Sequence, residues 1–149
     1  MILVAMALAV AVSQVDAGAD SIYSNVCLYP KTLDQGGMEL RIVRTSRSPS
    51  VKFRTCQGGC WEQPTSAVTL SKERITFLAA DQSFDEKGKL AESVVHRFSG
   101  TFQKGDLVVA SPGYYPIQHL KKQRHSVEAQ AATDKGDPAA WPAPVRRCR

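Results

Sequence analysis

Two stretches of this chain alternate apolar and polar residues with a period of two. Residues 38–42 place three apolar side chains on one side of an extended backbone, and residues 51–55 place Val51, Phe53 and Thr55 there. The polar segment 45–50 between them contains Pro49 and favours a turn. The pattern therefore predicts a β-hairpin with one buried face. The opposite face of this hairpin is basic and carries Arg41, Lys52 and Arg54.

The middle of the chain continues with short extended segments at regular spacing. They are joined by turns containing Gly88 and Gly105, where a hairpin needs a positive φ. We expect a mostly β protein, a small antiparallel meander that closes as a barrel or packs as a sandwich, with Gly100 at a bulge or bend. The alternative is an α+β fold with a helix over residues 82–91 or in the tail. The predicted strands cover residues 68–70, 74–79, 90–102 and 107–110.

The first nineteen residues have the pattern of a secretory signal peptide. Residues 1–12 are apolar, and the small residues 17–19 fit a signal-peptidase site, although no basic residue precedes the apolar run. The run is shorter than the roughly 20 apolar residues that a membrane-spanning helix needs. We predict cleavage after Ala19 and export to the periplasm or the exterior.

The rest of the chain is long enough for one domain. We predict a β-rich domain over residues 20–125 and a Pro/Ala-rich C-terminal tail over residues 126–149, mobile unless a disulfide tethers it. The full chain carries a net charge of +5. Such a surface attracts an acidic protein or an anionic lipid or polysaccharide of the envelope. Because the chain is predicted to be exported, we expect no nucleic-acid partner, and no membrane span once the signal is removed.

The chain contains four cysteines, which in an oxidising compartment favour disulfides over thiols. Four cysteines allow three pairings, and spacing alone does not choose among them. We favour Cys56–Cys60, because Gly58 and Gly59 allow a tight turn, together with Cys27–Cys148. A redox pair or a zinc site with His119 and His125 has less support, because the spacings fit neither well.

No sequence motif of a common enzyme class occurs, and the acidic pairs lie around turns. We expect no catalytic residue, no metal ligand and no cofactor. His96 is expected to line the barrel, and the basic run from His119 to His125 to be a solvated terminus. The residues best suited to an interface are aromatic, because aromatic side chains give large contact areas. The candidate binding residues are Trp61, Tyr114 and Tyr115, with Arg41, Lys52 and Arg54 steering association.

These observations support two functional hypotheses. The first is an exported non-catalytic binding protein, with contacts from the loops at residues 57–61 and 112–116. In expected architecture alone it resembles the small periplasmic β-domains that inhibit cell-wall hydrolases or confer immunity to them. The second is a lipocalin-like carrier of a small apolar ligand, with His96 and Arg97 lining the cavity. For Tyr115 and Trp61, capping the ends of a barrel is the structural alternative to binding.

Overall fold

A computed structural model describes residues 20–45, 47–126 and 147–148. The predicted signal peptide (residues 1–19) and most of the predicted tail lie outside the described residues. The described residues form nine strands and no helix. The strands are β1 Ser21–Ser24, β2 Cys27–Leu28, β3 Gln35–Arg44, β4 Pro49–Gln63, β5 Thr65–Leu70, β6 Arg74–Phe84, β7 Leu90–Gln103, β8 Asp106–Ser111 and β9 Tyr115–Gln123.

The strands form one antiparallel sheet. β3 pairs with β4 along one edge and with β1 and β2 along the other, and from β1 the order continues β9-β8-β7-β6-β5. The two ends of this sheet, β4 and β5, lie side by side. The Thr65 hydroxyl donates a hydrogen bond to the Val51 carbonyl across that junction, at 2.5 Å. The sheet is thus nearly closed into a barrel, which confirms the predicted fold class.

The predicted hairpins are present. Met38 lies opposite Thr55 and Leu40 opposite Phe53, so that the apolar sides of β3 and β4 share one face. Gly88 and Gly105 occupy the β6–β7 and β7–β8 turns with φ of +75° and +88°. These are left-handed conformations that a side chain disfavours. The alternative helix over residues 82–91 is wrong, because this segment is the end of β6, a turn and the start of β7.

The interior of the barrel is filled by side chains. Three phenylalanines form its centre, with ring centroids 5.4 Å apart for Phe53 and Phe77, 4.8 Å for Phe53 and Phe98, and 5.1 Å for Phe77 and Phe98. All three are at most 1% exposed. Small eight-stranded barrels typically fill their interior in this way. These described side chains therefore occupy the middle of the barrel, where a lipocalin-like carrier would hold its ligand.

Three further expectations about the chain's course differ from the structure. The run from His119 to His125 is not a solvated terminus, because β9 reaches Gln123 and pairs with β8 and β1. Leu120, inside that run, is completely buried. The predicted loop at residues 57–61 belongs to β4, which folds back on itself so that Arg54 contacts Glu62 at 3.2 Å. The predicted loop at residues 112–116 is shorter, since β9 begins at Tyr115.

Gly100 is not at a bulge, because its pairing with Ile75 and Val109 is regular. Glycine is required there for space. A Cβ atom would lie 2.9 Å from both Ile75 Cγ2 and Leu107 Cδ1. Overpacking of this kind typically costs about 1–3 kcal/mol. We expect Gly100→Ala to lower the free energy of unfolding by about that amount.

Urea denaturation tests this expectation, with Gly59→Ala as the control. A Cβ at Gly59 meets only Trp61, at an ordinary distance of 3.5 Å. We expect the control to change stability by less than about 1 kcal/mol, since it adds no overpacking. Equal effects of the two substitutions would contradict the packing explanation for Gly100.

Both predicted disulfides are present. Cys56–Cys60 joins the two arms of the folded β4, and Cys27–Cys148 joins β2 to the described end of the tail. Next to the second bond, the Cys148 amide donates to the Leu28 carbonyl at 3.0 Å. Two intramolecular disulfides are compatible with an oxidising extracellular compartment. Within residues 20–45, 47–126 and 147–148, no helix is long and apolar enough to cross a membrane.

Candidate functional site

One end of the barrel, here called the mouth, is where β3, β7 and β9 begin and where β6 and β8 end. Two clefts open at the mouth, and both are lined by Tyr115 and Gln57. Below them, Tyr115 packs on the core, with its ring centroid 6.0 Å from that of Phe98. The mouth therefore lies directly over the filled interior.

The smaller of the two is here called the aromatic cleft and holds about 340 Å³. It brings together the three aromatic residues that the sequence singled out, although Trp61 lies on β4, Tyr114 in the β8–β9 connection and Tyr115 at the start of β9. Trp61 is 58% exposed, and Phe84 at the end of β6 is 60% exposed. Exposed aromatic rings around a concave surface are typical of interface anchors. The lining includes Trp61, Glu62, Asp81, Phe84, Tyr114 and Tyr115.

Tyr114 is held in place on three sides. Its ring stacks on His96, with centroids 3.3 Å apart and planes 3° from parallel. Its hydroxyl donates a short hydrogen bond to Asp81 Oδ2. Its edge meets Tyr115, with centroids 4.7 Å apart and an interplanar angle of 88°. A ring fixed in this way loses little conformational entropy when a partner binds to it.

Burial raises the pKa of both tyrosines. For Tyr114 the largest cause is burial, followed by the hydrogen bond to Asp81 and the charge of that carboxylate. For Tyr115 burial also raises the pKa, and a hydrogen bond with Thr55 partly offsets the effect. Both hydroxyls therefore remain protonated, and able to donate, at a pH where an ordinary tyrosine has begun to ionise.

These shifts predict a loss of stability at alkaline pH. Because the pKa of Tyr114 is higher in the folded chain, the unfolded chain releases this proton first, at an ordinary tyrosine pKa of about 10. Stability is complete below that pH and falls as the pH rises above it. We expect Tyr114→Phe to make the denaturation midpoint fall less steeply above pH 10, as measured by chemical denaturation across that range. An unchanged slope would contradict this contribution of Tyr114.

The charged groups lining the aromatic cleft are acidic. Glu62 and Asp81 are carboxylates, and no lysine or arginine occurs among the described residues of the lining. Gln63 lies deeper in the wall at 8% exposure, and its amide nitrogen donates to the Thr55 hydroxyl at 2.8 Å. The other amide atom, Gln63 Oε1, is buried and has no hydrogen-bond partner among the described residues. The cleft thus presents acceptors and aromatic rings.

The three basic candidates lie elsewhere. Arg41, Lys52 and Arg54 line a small hollow on the outer wall formed by β3 and β4, together with Glu39 and Ser126. Arg41 pairs with Asp20, and Arg54 bonds to Glu62 at 3.2 Å. Arg54 therefore contacts a residue of the aromatic cleft without lining it. The structure does not bring these basic residues into one site with Trp61 and Tyr114.

The larger cleft holds about 920 Å³ and lies on the other side of Tyr115, beside the β2–β3 connection. Its lining includes Tyr29, Pro30, Met38 and Pro116. Its volume is within the usual range for small-molecule sites, and its lining is largely apolar. Cys148 also borders this cleft, so the Cys27–Cys148 bond forms part of its wall.

The sequence did not identify five polar residues of the aromatic cleft: Thr55, Glu62, Gln63, Asp81 and Gln82. A signal for Asp81 exists in the sequence, because it continues the inward series Ile75, Phe77 and Ala79 at a period of two. His96 continues the inward series of Phe98 in the same way and faces the mouth, opposite Ala79. No comparable signal exists for Gln63, whose position depends on the fold-back of β4.

No group of three His, Cys, Asp or Glu side chains among the described residues is arranged to hold a metal ion. Cys56 and Cys60, which a zinc site would have used, are bonded to each other. The arrangement at the mouth is suited to contact, since it combines exposed rings with fixed hydrogen-bond acceptors and donors. No protein-family model, no curated protein and no solved structure matches this chain.

Proposed function

We propose that this chain is an exported, non-catalytic binding protein that holds a partner at the mouth of its barrel. The observation that carries the proposal is the meeting of Trp61, Tyr114 and Tyr115 in one cleft above a filled core. Clustered aromatic residues of this kind contribute most of the binding energy in many interfaces. Periplasmic or secreted localisation is supported by the apolar N-terminus and the two disulfides.

The partner class that we propose is an envelope hydrolase, which the protein inhibits or to which it confers immunity. A cleft whose two tyrosines are already held on a cross-linked sheet suits inhibition, because little order has to be gained there on binding. The basic outer wall and the net charge of +5 favour a partner with an acidic surface or another anionic envelope component. Long-range attraction of this kind raises the association rate more than it adds affinity.

The second candidate function is a carrier of a small apolar ligand. The larger cleft favours it, because about 920 Å³ beside Tyr29, Pro30 and Met38 accommodates such a molecule. The filled interior limits the ligand to the mouth. The two functions respond differently to salt: charge-steered protein binding weakens as salt rises, whereas burial of an apolar ligand is little affected.

The proposal is tested by purifying the exported protein with its partner at low and high salt. We expect a stoichiometric hydrolase whose activity falls on binding and which dissociates at high salt. Trp61→Ala should weaken that complex about 30-fold, the effect of losing an anchor worth about 2 kcal/mol. The matched control is Ile117→Ala, which removes an apolar side chain that is 66% exposed and lines neither cleft.

Two results would contradict the proposal. A hydrolase complex that weakens equally in the Trp61→Ala and Ile117→Ala proteins would place the contact away from the mouth. A lipid that remains bound at high salt, with no protein partner, would favour the carrier. In that case Met38→Ala is expected to reduce the bound lipid, because Met38 lines the larger cleft.

A further inference from the structure

The aromatic cleft also indicates what kind of group the partner inserts. We infer that it receives a basic side chain, the ammonium of a lysine or the guanidinium of an arginine, presented by the partner protein. This inference rests on the proposed function, since it specifies the chemistry of the same site. This anchor has the same sign as the protein as a whole, which carries a net charge of +5, and the opposite sign to the charged lining of the cleft.

The first reason is the charge of the lining. Glu62 and Asp81 are its only charged side chains among the described residues. Arg54 bonds to one oxygen of Glu62, and Tyr114 to one oxygen of Asp81. A carboxylate offers about four acceptor positions on its two oxygens. Each group therefore keeps the capacity to bind a further donor, and a cationic donor gives the stronger hydrogen bond.

The second reason is independent of those carboxylates. Gln63 is more than nine-tenths buried in the cleft wall, and its Oε1 has no partner among the described residues. Its orientation is fixed, because the nitrogen of the same amide donates to Thr55. Burial of an unsatisfied acceptor typically costs about 1–3 kcal/mol. A donor brought into this wall by a partner removes that cost, whereas an anion or an apolar group leaves it.

The third reason is the aromatic lining. A cation placed over an aromatic face is attracted by the ring, and tryptophan is the most effective ring. Trp61 is 58% exposed and therefore offers such a face. Phe84 is 60% exposed on the same lining and suits the aliphatic part of a lysine or arginine. A volume of about 340 Å³ is at the small end of ligand sites and fits one inserted side chain.

A neutral sugar also combines hydroxyl donors with an affinity for aromatic rings. The two carboxylates favour the cation over it, because a full positive charge gains from both of them and a hydroxyl does not. The test therefore has to compare charge directly, with the shape of the probe held constant.

The probes are acetyl-arginine amide and acetyl-citrulline amide, which differ mainly in the charge of the terminal group. The full-length protein with both disulfides is used, with Trp141→Phe so that Trp61 is the single tryptophan. Binding is followed by the fluorescence of Trp61 at constant ionic strength. We expect the arginine probe to bind at least about tenfold more tightly than the citrulline probe, and the lysine analogue to bind as the arginine probe does.

Glu62→Gln should weaken binding of the arginine probe about five- to tenfold and leave the citrulline probe unchanged. The matched control is Glu73→Gln, which makes the same change of charge at the other end of β6, outside the cleft. Both side chains are at the surface, so the variants should fold, and circular dichroism verifies this. Equal binding of arginine and citrulline probes, no saturable response, or tighter binding of a neutral trisaccharide would overturn the inference.

The same variants separate this inference from the proposed function. If Trp61→Ala weakens the hydrolase complex but Glu62→Gln does not, the mouth is the binding site and the cationic anchor is wrong. If neither changes the complex, the proposed function itself fails. Loss of binding in both, with Glu73→Gln unaffected, supports the two together.

Discussion

Replacement of Phe98 by alanine is expected to lower the free energy of unfolding by about 3–5 kcal/mol. Phe98 is completely buried, with its ring 4.8 Å from Phe53 and 5.1 Å from Phe77. Removing it leaves a cavity inside a nearly closed barrel, whose hydrogen-bonded strands cannot collapse freely into the space. Because Tyr115 packs on Phe98, the floor of the aromatic cleft should loosen as well.

Guanidinium denaturation of the two proteins measures the effect. Phe84→Ala is the control, since it deletes the same ring from a site that is 60% exposed. We expect the control to change stability by no more than about 0.5 kcal/mol. A loss of less than about 1 kcal/mol for Phe98→Ala would mean that the interior is not packed as described.

The Cys27–Cys148 disulfide is expected to contribute more stability than Cys56–Cys60. The two bonds span 121 and 4 positions of the sequence. In the loop-entropy model, closing loops of those lengths destabilises the unfolded chain by about 5 and about 2 kcal/mol. Replacing Cys27 and Cys148 with serine should therefore lower the denaturation midpoint much further than replacing Cys56 and Cys60.

The two double variants are controls for each other, because each removes two cysteines and adds two serines. The hydrogen bond from the Cys148 amide to Leu28 is expected to be lost with the long-range bond. A larger loss of stability from the Cys56/Cys60 variant would contradict the model. It would indicate that the short bond is needed to hold β4 in its folded-back form.

Much of the barrel could be predicted from the sequence, because its strands have local signals. The hairpin of β3 and β4 follows from alternation on both strands, and the β6–β7 and β7–β8 turns follow from Gly88 and Gly105. The two disulfides also match the prediction, although the choice among three pairings depended on a preference for the short loop. Local pattern was sufficient wherever one strand face is apolar and the other polar.

Strands β1 and β9 could not be predicted, because their own residues carry little of the signal. β9 begins with Tyr115 and Pro116 and ends in a basic run, and only Leu120 on it is buried. Pro116 is tolerated near the start of the strand, where the pairing with β8 is irregular. The position of β9 depends on backbone pairing with β8 on one side and β1 on the other. That pairing results from closure of the sheet.

Of the aromatic cleft, the sequence indicated three aromatic residues, but neither their shared lining nor the other residues in it. Trp61, Tyr114 and Tyr115 were singled out as separate contacts, and the structure places them in one lining. The basic residues Arg41, Lys52 and Arg54 were expected to assist them, but they lie on the outer wall. The acidic lining arises from Glu62 and Asp81, which are brought together by the fold-back of β4 and the length of β6.

The most direct test of the central claim is photo-crosslinking from the mouth. A benzoyl-phenylalanine residue replaces Trp61 in one exported protein and Thr101, an exposed residue of β7 outside both clefts, in another. We predict that irradiation joins the position-61 protein to a single partner hydrolase and leaves the position-101 protein unjoined. A partner that co-purifies with both proteins but is crosslinked only from position 101 would contradict binding at the mouth.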